Sequence, residues 1–399
     1  MDPGTARADT VTAVARREGL DVVRRVGDPR AENLLVHGDN LAAMRALART
    51  HGGAVRCVYL DPPYDSGRTF AEYNDSLGAE AWVAMMRPRL EAIAPLLADD
   101  GAVFVEIDDT SLARLTLLMD DVFGEANRVS TITIVRSAPT GHKAINAGPV
   151  HVSDFLLAYA KDKRAWRYRP QVRVRDGLDP AYSTWLDNPG DPPKSWRFRP
   201  LRAAARERGA DRLERFVLEN ARHVVRFAQP RYEAIGRAAQ KIVDASRADP
   251  SRVLVLPREG RSPFIVRGGN RILFLADKVK GGAIVEPLTN VWTDVPFQGI
   301  AREGGVVFAR NKKPEKLVAR VVAMASDAGD WVLDPFLGSG TTAAVAHKMG
   351  RRWIGIESGE HLVTLAEPRL RRVVAGEDKT GISRVTNFAG GGGFRVATI

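Results

Sequence analysis

Cysteine is almost absent from the 399-residue sequence, which has Cys57 alone. A single cysteine excludes an internal disulfide and a cysteine-based metal site, and its position in a predicted strand favours a buried apolar role. The seven histidines are not spaced like metal ligands, so we expect no metal. No stretch approaches 18 uninterrupted apolar residues, and the N-terminus lacks an apolar leader. The sequence therefore predicts a cytoplasmic protein without a membrane span.

Acidic residues are in deficit only in the middle of the chain. The net charge of +11 arises between residues 161 and 280, where 28 Lys and Arg face 14 Asp and Glu. The same segment holds 11 of the 28 aromatic residues, and interleaved basic and aromatic side chains suit contacts to nucleic-acid phosphates and bases. The alternative is a solvated basic surface. The candidate contacts are Arg164, Arg167, Arg169, Trp185, Lys194, Trp196, Arg197 and Arg199.

The sequence Leu60-Asp61-Pro62-Pro63-Tyr64 follows a strand predicted over residues 55–60. That strand is apolar apart from Arg56, which is typical of a parallel strand buried on both faces. Asp61 should therefore lie at the carboxyl edge of a sheet, where open α/β sheets bind ligands. The two prolines fix φ and lack an N–H group, and Pro62 is held extended, so its carbonyl should point outward without a partner.

This arrangement suits methylation of an aromatic exocyclic amine, whose lone pair is delocalised into the ring. If Asp61 and the Pro62 carbonyl each accept one N–H of the amine, the nitrogen turns towards tetrahedral geometry and can attack an activated methyl group. Tyr64 would stack against the base. The candidate catalytic residues are thus Asp61, Pro62, Pro63 and Tyr64, and the alternative is an ordinary Pro-Pro turn after a strand.

A second pattern lies near the other end of the chain. A strand predicted over residues 331–334 is followed by Gly338-Ser339-Gly340 and a helix over residues 343–349, and this combination lets a ligand approach the backbone closely. The next strand ends at Glu357, 19 residues beyond Gly338, close to the roughly 20-residue offset of the ribose-binding acid in dinucleotide folds. Alone, the Gly-x-Gly could be a tight βα turn. No Lys follows the glycines, which excludes a Walker-type phosphate loop.

Together these patterns resemble the S-adenosylmethionine-dependent amino-methyltransferases of the permuted β arrangement, in which the catalytic motif precedes the cofactor motif. Residues 34–40, 101–109, 313–317, 346–357 and 390–394 further resemble the modification subunits of type III restriction systems. The resemblance covers residues 31–161 and 291–399. Two departures are Asp65-Ser66, where such subunits usually carry Asn-Thr, and Asp334-Pro335-Phe336-Leu337, which replaces a more usual Asp-Phe-Phe-Ala.

The resemblance implies a doubly wound, mostly parallel, seven-stranded sheet of the Rossmann-like, circularly permuted type with an inserted DNA-recognition domain. It also implies that Asp334 and the glycine turn hold the methionine portion of S-adenosylmethionine, Glu357 the ribose and Asp39 the adenine. For Asp39, a helix N-cap is an alternative that can coexist with this role. The expected cofactor-binding residues are Asp39, Asn40, Lys313, Pro314, Asp334, Pro335, Phe336, Gly338, Ser339, Gly340, Thr341, Thr342 and Glu357.

The expected domains are a lead-in (1–30), a catalytic half (31–165), a target-recognition domain (166–290), a cofactor-binding half (291–375) and a polar C-terminal tail (376–399). Helices are predicted over residues 10–18, 82–97 and 212–226. Asp109-Thr110-Ser111 is the predicted N-cap of a helix over residues 112–123. Residues 70–77 should form a mobile loop, and residues 137–151 a loop near the target strand.

The function implied is that of a site-specific DNA methyltransferase acting on the N6 amine of an adenine flipped out of the duplex. Double-stranded DNA is the expected partner, and a homodimer, a nuclease or helicase restriction subunit and a bacterial, nucleoid-associated location are compatible with the resemblance. One alternative is an enzyme of the same fold acting on cytosine N4, RNA or a protein amide, although Asp before Pro-Pro favours adenine by family resemblance. The other is an inert DNA-binding or partner subunit, against which the intact motif residues argue. The recognition sequence is not deducible.

Overall fold

A computed structural model describes residues 19–65, 77–138, 148–308 and 312–399, together with the short strands at 68–69 and 74–75. The described chain forms two compact units. The first comprises residues 19–171 and 289–399, and the second comprises residues 172–288. The predicted helix at residues 10–18 and most of the predicted loops at 70–77 and 137–151 lie outside the described residues.

The helices and strands of the first unit come from both ends of the chain. Up to residue 171 it contains β1 (Asp21–Gly27), β2 (Leu34–His37), α1 (Asn40–His51), β3 (Val55–Leu60), β4 (Arg68–Thr69), β5 (Asn74–Asp75), α2 (Ala79–Ile93), β6 (Leu97–Ile107), α3 (Asp109–Phe123), β7 (Arg128–Val135) and β8 (Ser153–Ala160).

The second unit is built from short strands and helices. It contains β9 (Val172–Val174), β10 (Thr184–Leu186), β11 (Phe198–Pro200), α4 (Leu201–Glu207), α5 (Leu213–Glu219), β12 (Val224–Ala228), α6 (Arg237–Ala248), β13 (Val253–Leu256), β14 (Phe264–Arg267), β15 (Asn270–Phe274), β16 (Val279–Lys280) and β17 (Ala283–Pro287).

The chain then returns to the first unit. This last part contains β18 (Val291–Trp292), α7 (Glu315–Ala325), β19 (Trp331–Asp334), α8 (Thr341–Lys348), β20 (Arg352–Glu357), α9 (Glu367–Ala375) and β21 (Gly393–Thr398).

The first unit has a ten-stranded sheet in the order β1-β21-β2-β20-β19-β3-β6-β8-β7-β18. Its strands are parallel from β21 to β6, and β18 is parallel to β7, whereas β1 and β8 are antiparallel to their neighbours. The mostly parallel sheet is confirmed. The predicted number of seven strands is wrong, because β1 and β21 extend one edge and β18 extends the other.

Helices cover both faces of this sheet, as a doubly wound fold requires. Side chains of a strand alternate between the two faces, and Val58 and Leu60 of β3 belong to a core that also contains residues of α1, α2 and α3. Cys57 and Tyr59, whose side chains point to the other face, are equally buried. Helix α7 packs on β3 and β6 and is followed by α8 and α9, which pack against one another.

The central neighbours β3 and β19 determine where the candidate site lies. They are parallel, and Leu333 is paired with Val58. Both strands are buried runs that end in an acid followed by proline. Asp61 and Asp334 therefore leave the sheet at the same carboxyl edge, where ligands bind in folds of this class.

Several predicted elements differ from those observed at their ends. The helix predicted over residues 82–97 ends at Ile93, because Leu97 already begins β6. Only Leu213–Glu219 of the helix predicted over residues 212–226 is helical, since the β-branched pair Val224-Val225 enters β12. The N-cap of α3 is Asp108, whose side chain accepts from the Ser111 N–H, and not Asp109-Thr110-Ser111.

Residues 21–27 and 393–398 form strands that the sequence does not predict. The expected lead-in contains β1, and the expected polar tail contains β21, which lies between β1 and β2. Phe394, Val396 and Ala397 of β21 are buried. The prediction of a polar tail is therefore wrong, because a short strand with few apolar residues can still be buried when strands pair with it on both sides.

The second unit has a six-stranded antiparallel sheet, β11-β10-β12-β15-β14-β13, and a three-stranded one, β16-β17-β9. Its main core gathers Trp185, Leu201, Phe216, Val217 and Leu275. The unit spans residues 172–288, slightly less than the recognition domain predicted over residues 166–290.

Candidate active site

A cavity opens at the carboxyl edge of the first unit's sheet, and it gathers residues from both halves of the sequence. Its lining includes Asp61 and Pro63 of the catalytic motif, whereas Pro62 and Tyr64 are adjacent but do not line it. Eleven of the thirteen predicted cofactor residues line it, namely Asp39, Asn40, Lys313, Asp334, Pro335, Phe336, Gly338, Ser339, Thr341, Thr342 and Glu357. The other two, Pro314 and Gly340, are the N-cap residues of α7 and α8.

The glycine turn shapes one wall of the cavity. Gly338 and Gly340 have φ values of 53° and 81°, in the left-handed region that favours glycine. A Cβ on Gly340 would also come within 3.3 Å of the Ala366 Cβ. Helix α8 begins immediately afterwards at Thr341. The turn therefore brings backbone and a helix N-terminus to the cavity wall, as predicted.

Glu357 at the end of β20 is an ionised carboxylate at this wall. Its Oε2 accepts from the Gly338 N–H at 2.9 Å and lies 3.2 Å from Nε2 of His361. Its Oε1 accepts from the N–H groups of Ser358 and Gly359 at 2.9 and 3.0 Å. Burial alone would raise the pKa of Glu357, but these hydrogen bonds and His361 hold it below its ordinary value.

Asp334 is the most perturbed acid of the cavity. Its side chain is buried, and its Oδ1 accepts from the Phe336 N–H at 2.9 Å. Burial raises the pKa of Asp334 to about 7, against the lowering effect of the Thr342 hydroxyl and the Phe336 N–H, and with a further raising effect from Asp61. A carboxyl group that is so difficult to ionise suits a cationic ligand, whose charge would favour the anion.

Hydrogen bonds connect the catalytic motif to two helices, whereas the Pro62 carbonyl accepts none from a described residue. The Pro63 carbonyl accepts from the Trp82 indole N–H at 2.6 Å, and the Tyr64 carbonyl accepts from the Ser111 hydroxyl at 2.8 Å. No described residue donates a hydrogen bond to the carbonyl of Pro62. This is the acceptor that the sequence predicts to be unpartnered.

Asp61 is held through one of its two oxygens. Its Oδ1 accepts a hydrogen bond from the Tyr64 hydroxyl at 2.8 Å and forms an ion pair with Nζ of Lys313 at 3.0 Å. Lys313 also donates to the Tyr64 hydroxyl at 2.7 Å and to the buried Glu106 at 2.8 Å. Burial raises the pKa of Asp61 to about 6, which Lys313 counteracts and Glu106 reinforces.

Asp39 and Asn40, at the start of α1, also line the cavity. Asp39 caps α1 by accepting from the Ala42 N–H at 2.9 Å, so the N-cap alternative is confirmed. Arg89 of α2 approaches Asp39 Oδ2 at 3.1 Å and donates to Asn40 Oδ1 at 2.7 Å. Asn40 in turn donates to the Pro335 carbonyl at 2.8 Å, which joins this corner to the cofactor motif.

A buried cluster of four charged side chains, Glu315, Lys348, Arg369 and Asp378, contacts the residues that follow the glycine turn. Lys348 contacts Glu315 and Asp378 at 2.8 and 2.7 Å, and Arg369 donates to Glu315 at 2.8 Å. Arg369 also donates to the Thr341 hydroxyl at 2.8 Å. Two positive and two negative side chains thus balance one another where water is excluded, and they link three helices to the C-terminal segment.

The sequence analysis missed four of the side chains that shape the site, namely Arg89, Glu106, Phe308 and His361. Glu106 carried a usable signal, because it is an acid within the otherwise apolar run of residues 101–107. The other three had none, since they reach the cavity from a helix or from loops without a recognisable motif.

The predicted DNA contacts fall into four groups. Trp185 is 1% exposed and stacks on Phe216 and His223 inside the second unit, so its prediction as a base-stacking residue is wrong. Arg169 and Arg199 are engaged by acids, Arg169 by Asp327 and Arg199 by Asp187 and Glu207. Trp196 is half-buried, whereas the side chains of the remaining four are exposed. These four are Arg164, Arg167, Lys194 and Arg197.

Neither a membrane-spanning helix nor a metal site occurs among the described residues. No helix in this part of the chain is sufficiently long and apolar to cross a membrane. Nor does this part contain three or more His, Cys, Asp or Glu side chains grouped as a metal site.

Comparison with protein families matches the model of the DNA methylases, N6 and N4 methyltransferases, over residues 55–254 and 256–368. This match includes both motifs and most of the chain. The chain belongs to the DNA methylase family. The match covers adenine-N6 and cytosine-N4 enzymes together, so it does not separate the two target bases.

Three relatives of this DNA methylase show sequence similarity over most of its length. The probable type III restriction-modification enzyme HindVI Mod subunit of Haemophilus influenzae is 31% identical over 97% of this chain and 56% of its own length. The StyLTI Mod subunit of Salmonella typhimurium is 28% identical over 78% and 49%. The type II methyltransferase M.EcaI of Enterobacter cloacae is 26% identical over 82% and 66%. The chain thus spans about half the length of the two Mod subunits.

A solved structure with a similar fold is the cytosine-N4-specific PvuII DNA methyltransferase. It is 13% identical, with a TM-score of 0.45 over 90% of this chain and 92% of that one.

Proposed function

We propose that this DNA methylase transfers a methyl group from S-adenosylmethionine to the exocyclic N6 amine of adenine in double-stranded DNA. The observation that carries the proposal is the geometry at Asp61. One carboxylate oxygen is fixed by Tyr64 and Lys313, while the other oxygen and the Pro62 carbonyl receive no hydrogen bond from a described residue. Two free acceptors at the edge of a ligand cavity suit a group with two N–H donors.

The residues of the cavity fit S-adenosylmethionine by their chemistry. The acids Asp334, Glu357 and Asp39 suit its ammonium group, ribose hydroxyls and adenine amine respectively, and Phe336 and Met85 offer apolar surface for a ring. When bound, the cofactor supplies an electrophilic methyl group on a positively charged sulfur, which leaves as a neutral thioether when the amine attacks. Binding to Glu357 requires rearrangement, because this carboxylate already accepts three backbone hydrogen bonds and faces His361.

The residues of the chain prepare the amine for attack. Asp61 Oδ2 and the Pro62 carbonyl each accept one N–H, so the nitrogen lone pair is withdrawn from the ring and directed away from both acceptors. The nitrogen gives up one proton during the transfer, and Asp61 is the base at hand to take it. The Tyr64 ring is the stacking surface that we assign to the base.

Adenine is favoured over cytosine for two reasons. An Asp before Pro-Pro is the residue that the family resemblance associates with adenine, and two of the relatives are named as Mod subunits. The target base has to be extruded, since neither acceptor can reach an amine inside a duplex. We also propose a restriction subunit as a partner because of the Mod relatives. A homodimer and association with the nucleoid stay predictions of the sequence.

The test is methyl transfer in vitro. The purified protein is incubated with double-stranded DNA and methyl-labelled S-adenosylmethionine, and the digested nucleosides are identified by mass spectrometry. We expect labelled N6-methyldeoxyadenosine with the wild type and at least a hundredfold less with Asp61→Ala, because one such acceptor is typically worth about 10²–10³ in rate. Labelled N4-methyldeoxycytidine would show that the target is cytosine and not adenine. The absence of any labelled nucleoside would contradict the proposal.

A further inference from the structure

A fully buried acid lies beneath the candidate catalytic residue, and the mechanism above gives it no role. Glu106 is 0% exposed and belongs to β6, where its neighbours are apolar. Burying a carboxylate is costly unless it is paired and hydrogen-bonded. The retention of such a group next to the cavity, rather than an apolar residue, indicates a role in the site.

The partners of Glu106 connect it to Asp61 through a single lysine. Oε1 of Glu106 accepts from Lys313 Nζ at 2.8 Å, and its Oε2 accepts from the Tyr59 hydroxyl. The same Nζ lies 3.0 Å from Asp61 Oδ1 and donates to the Tyr64 hydroxyl at 2.7 Å. An ammonium group has three N–H donors. Nζ of Lys313 therefore has three oxygens of the chain within 3.0 Å, two of them as hydrogen-bond acceptors and the third as an ion-pair partner.

This arrangement fixes the orientation of Asp61. Lys313 and Tyr64 both contact Oδ1, so the carboxylate cannot rotate without breaking the ion pair with Lys313 and the hydrogen bond from Tyr64. Its Oδ2 remains available at the cavity. Glu106 in turn holds the lysine, because its Oε1 accepts a hydrogen bond from Nζ at 2.8 Å.

The charges around Asp61 have opposing effects. Lys313 favours its ionised form, whereas the nearby acids Glu106 and Asp334 disfavour it. The hydroxyl of Tyr64 donates to Asp61, and that of Tyr59 donates to Glu106. Further groups that act on Lys313 are Asp154 and its partner Arg136.

We propose that Glu106 and Lys313 are positioning residues for methyl transfer, which hold Asp61 through Oδ1 so that Oδ2 faces the amine. Lys313 thereby changes from the cofactor contact that the sequence predicts to a support of the catalytic carboxylate. The inference rests on the proposed function for its kinetic consequence, but the pair itself can be tested without turnover.

The experiment compares the ionisation of Asp61 in three variants. Aspartate is labelled with ¹³C at the carboxyl carbon, and the Asp61 signal is assigned by its loss in Asp61→Asn and titrated by NMR. In Lys313→Met the midpoint should move up by about 1–3 pH units, since an opposite charge at this distance is lost. In Glu106→Gln it should move down, because a like charge is lost. Lys316→Met, which removes an exposed lysine paired with Asp294, should leave the midpoint unchanged.

Three further measurements separate positioning from cofactor binding and from misfolding. Calorimetry should show S-adenosylmethionine affinity within about twofold of wild type in Lys313→Met, and circular dichroism should show both variants folded. The turnover number at the high-pH plateau should fall about ten- to a hundredfold in Glu106→Gln, where the lysine loses its anchor, without a matching rise in the Michaelis constant for DNA. Lys313→Arg, which keeps the charge, should restore the Asp61 midpoint towards that of wild type.

Each failure has its own signature. If the Asp61 midpoint is unmoved in both variants, or if Lys313→Met loses more than tenfold in cofactor affinity, the positioning role is overturned even though the wild type methylates DNA. If the wild type transfers no methyl group, the proposed function fails, while the opposite shifts of the two midpoints still test the pair.

Discussion

Acidification between pH 7 and pH 5 should weaken binding of S-adenosylmethionine, because Asp334 must be ionised to pair with the cofactor's ammonium group. Burial raises the pKa of this carboxyl to about 7 in the free protein. A raised pKa means that the group is protonated below that value. Affinity that depends on the anion is therefore present above about pH 7 and lost as the pH falls through it.

The size of the effect follows from the ionised fraction. With a pKa of about 7, about half of the Asp334 side chains are ionised at pH 7 and about one in a hundred at pH 5. The dissociation constant should therefore rise about fiftyfold, equivalent to about 2.3 kcal/mol. The range stops at pH 7 because α-amino groups such as the cofactor's own begin to lose their proton near pH 8.

Isothermal titration calorimetry at constant ionic strength provides the assay. Asp334→Asn should bind more weakly than wild type at pH 7 and lose most of the pH dependence. Asp61→Asn should keep the pH dependence of cofactor affinity. His361→Gln measures how much of that dependence comes from the imidazole beside Glu357. A wild-type affinity that is flat or that strengthens towards pH 5 would refute the reasoning, as would an Asp334→Asn variant that retains the full dependence.

Three further predictions concern DNA and the cofactor. Replacing Arg164, Arg167, Lys194 and Arg197 together with Ala should reduce the slope of log DNA affinity against log salt concentration by up to about 0.9 per residue. The double variant Arg169→Ala/Arg199→Ala should leave this slope nearly unchanged, because both side chains already pair with acids. Equal slopes in all proteins would contradict this prediction. Trp185→Ala should destabilise the second unit by about 3–5 kcal/mol in urea unfolding, in contrast to the loss of a base contact alone. Glu357→Ala should weaken cofactor binding by about 1.5–3 kcal/mol in calorimetry, and unchanged affinity in a folded variant would exclude the ribose role.

Sequence was most informative where local pattern and function coincide. The buried parallel strands β3 and β19 are apolar apart from Arg56 and the final Asp334, and in each case the apolar run is followed by an acid and a proline. Their neighbouring positions in the sheet follow from the fold class that the two motifs imply. Asp61, Asp334 and the glycine turn were therefore predictable, and the structure brings them to one cavity.

What the sequence did not predict depends on distant partners. Nζ of Lys313 meets oxygens of β6 and of the catalytic motif, all more than 200 residues away in the sequence. Strand β21 is short, and only its pairing with β1 and β2 makes it part of the sheet. Trp185 lies in a basic, aromatic segment that resembles a DNA-binding surface by composition, but its burial is decided by packing against Phe216. The composition of a segment indicates its general role, but it does not determine whether a particular side chain points into the core or towards solvent.

The most direct test of the central claim is base-modification sequencing of DNA from cells that express the wild type or the Asp61→Ala variant. The wild type should mark adenine at N6 in one defined sequence, and the variant should leave that sequence unmodified although the protein is folded and binds the cofactor. Modification at cytosine N4, modification that persists in the variant, or the absence of any modified sequence in wild-type cells would contradict the account of Asp61 as the acceptor for an adenine amine.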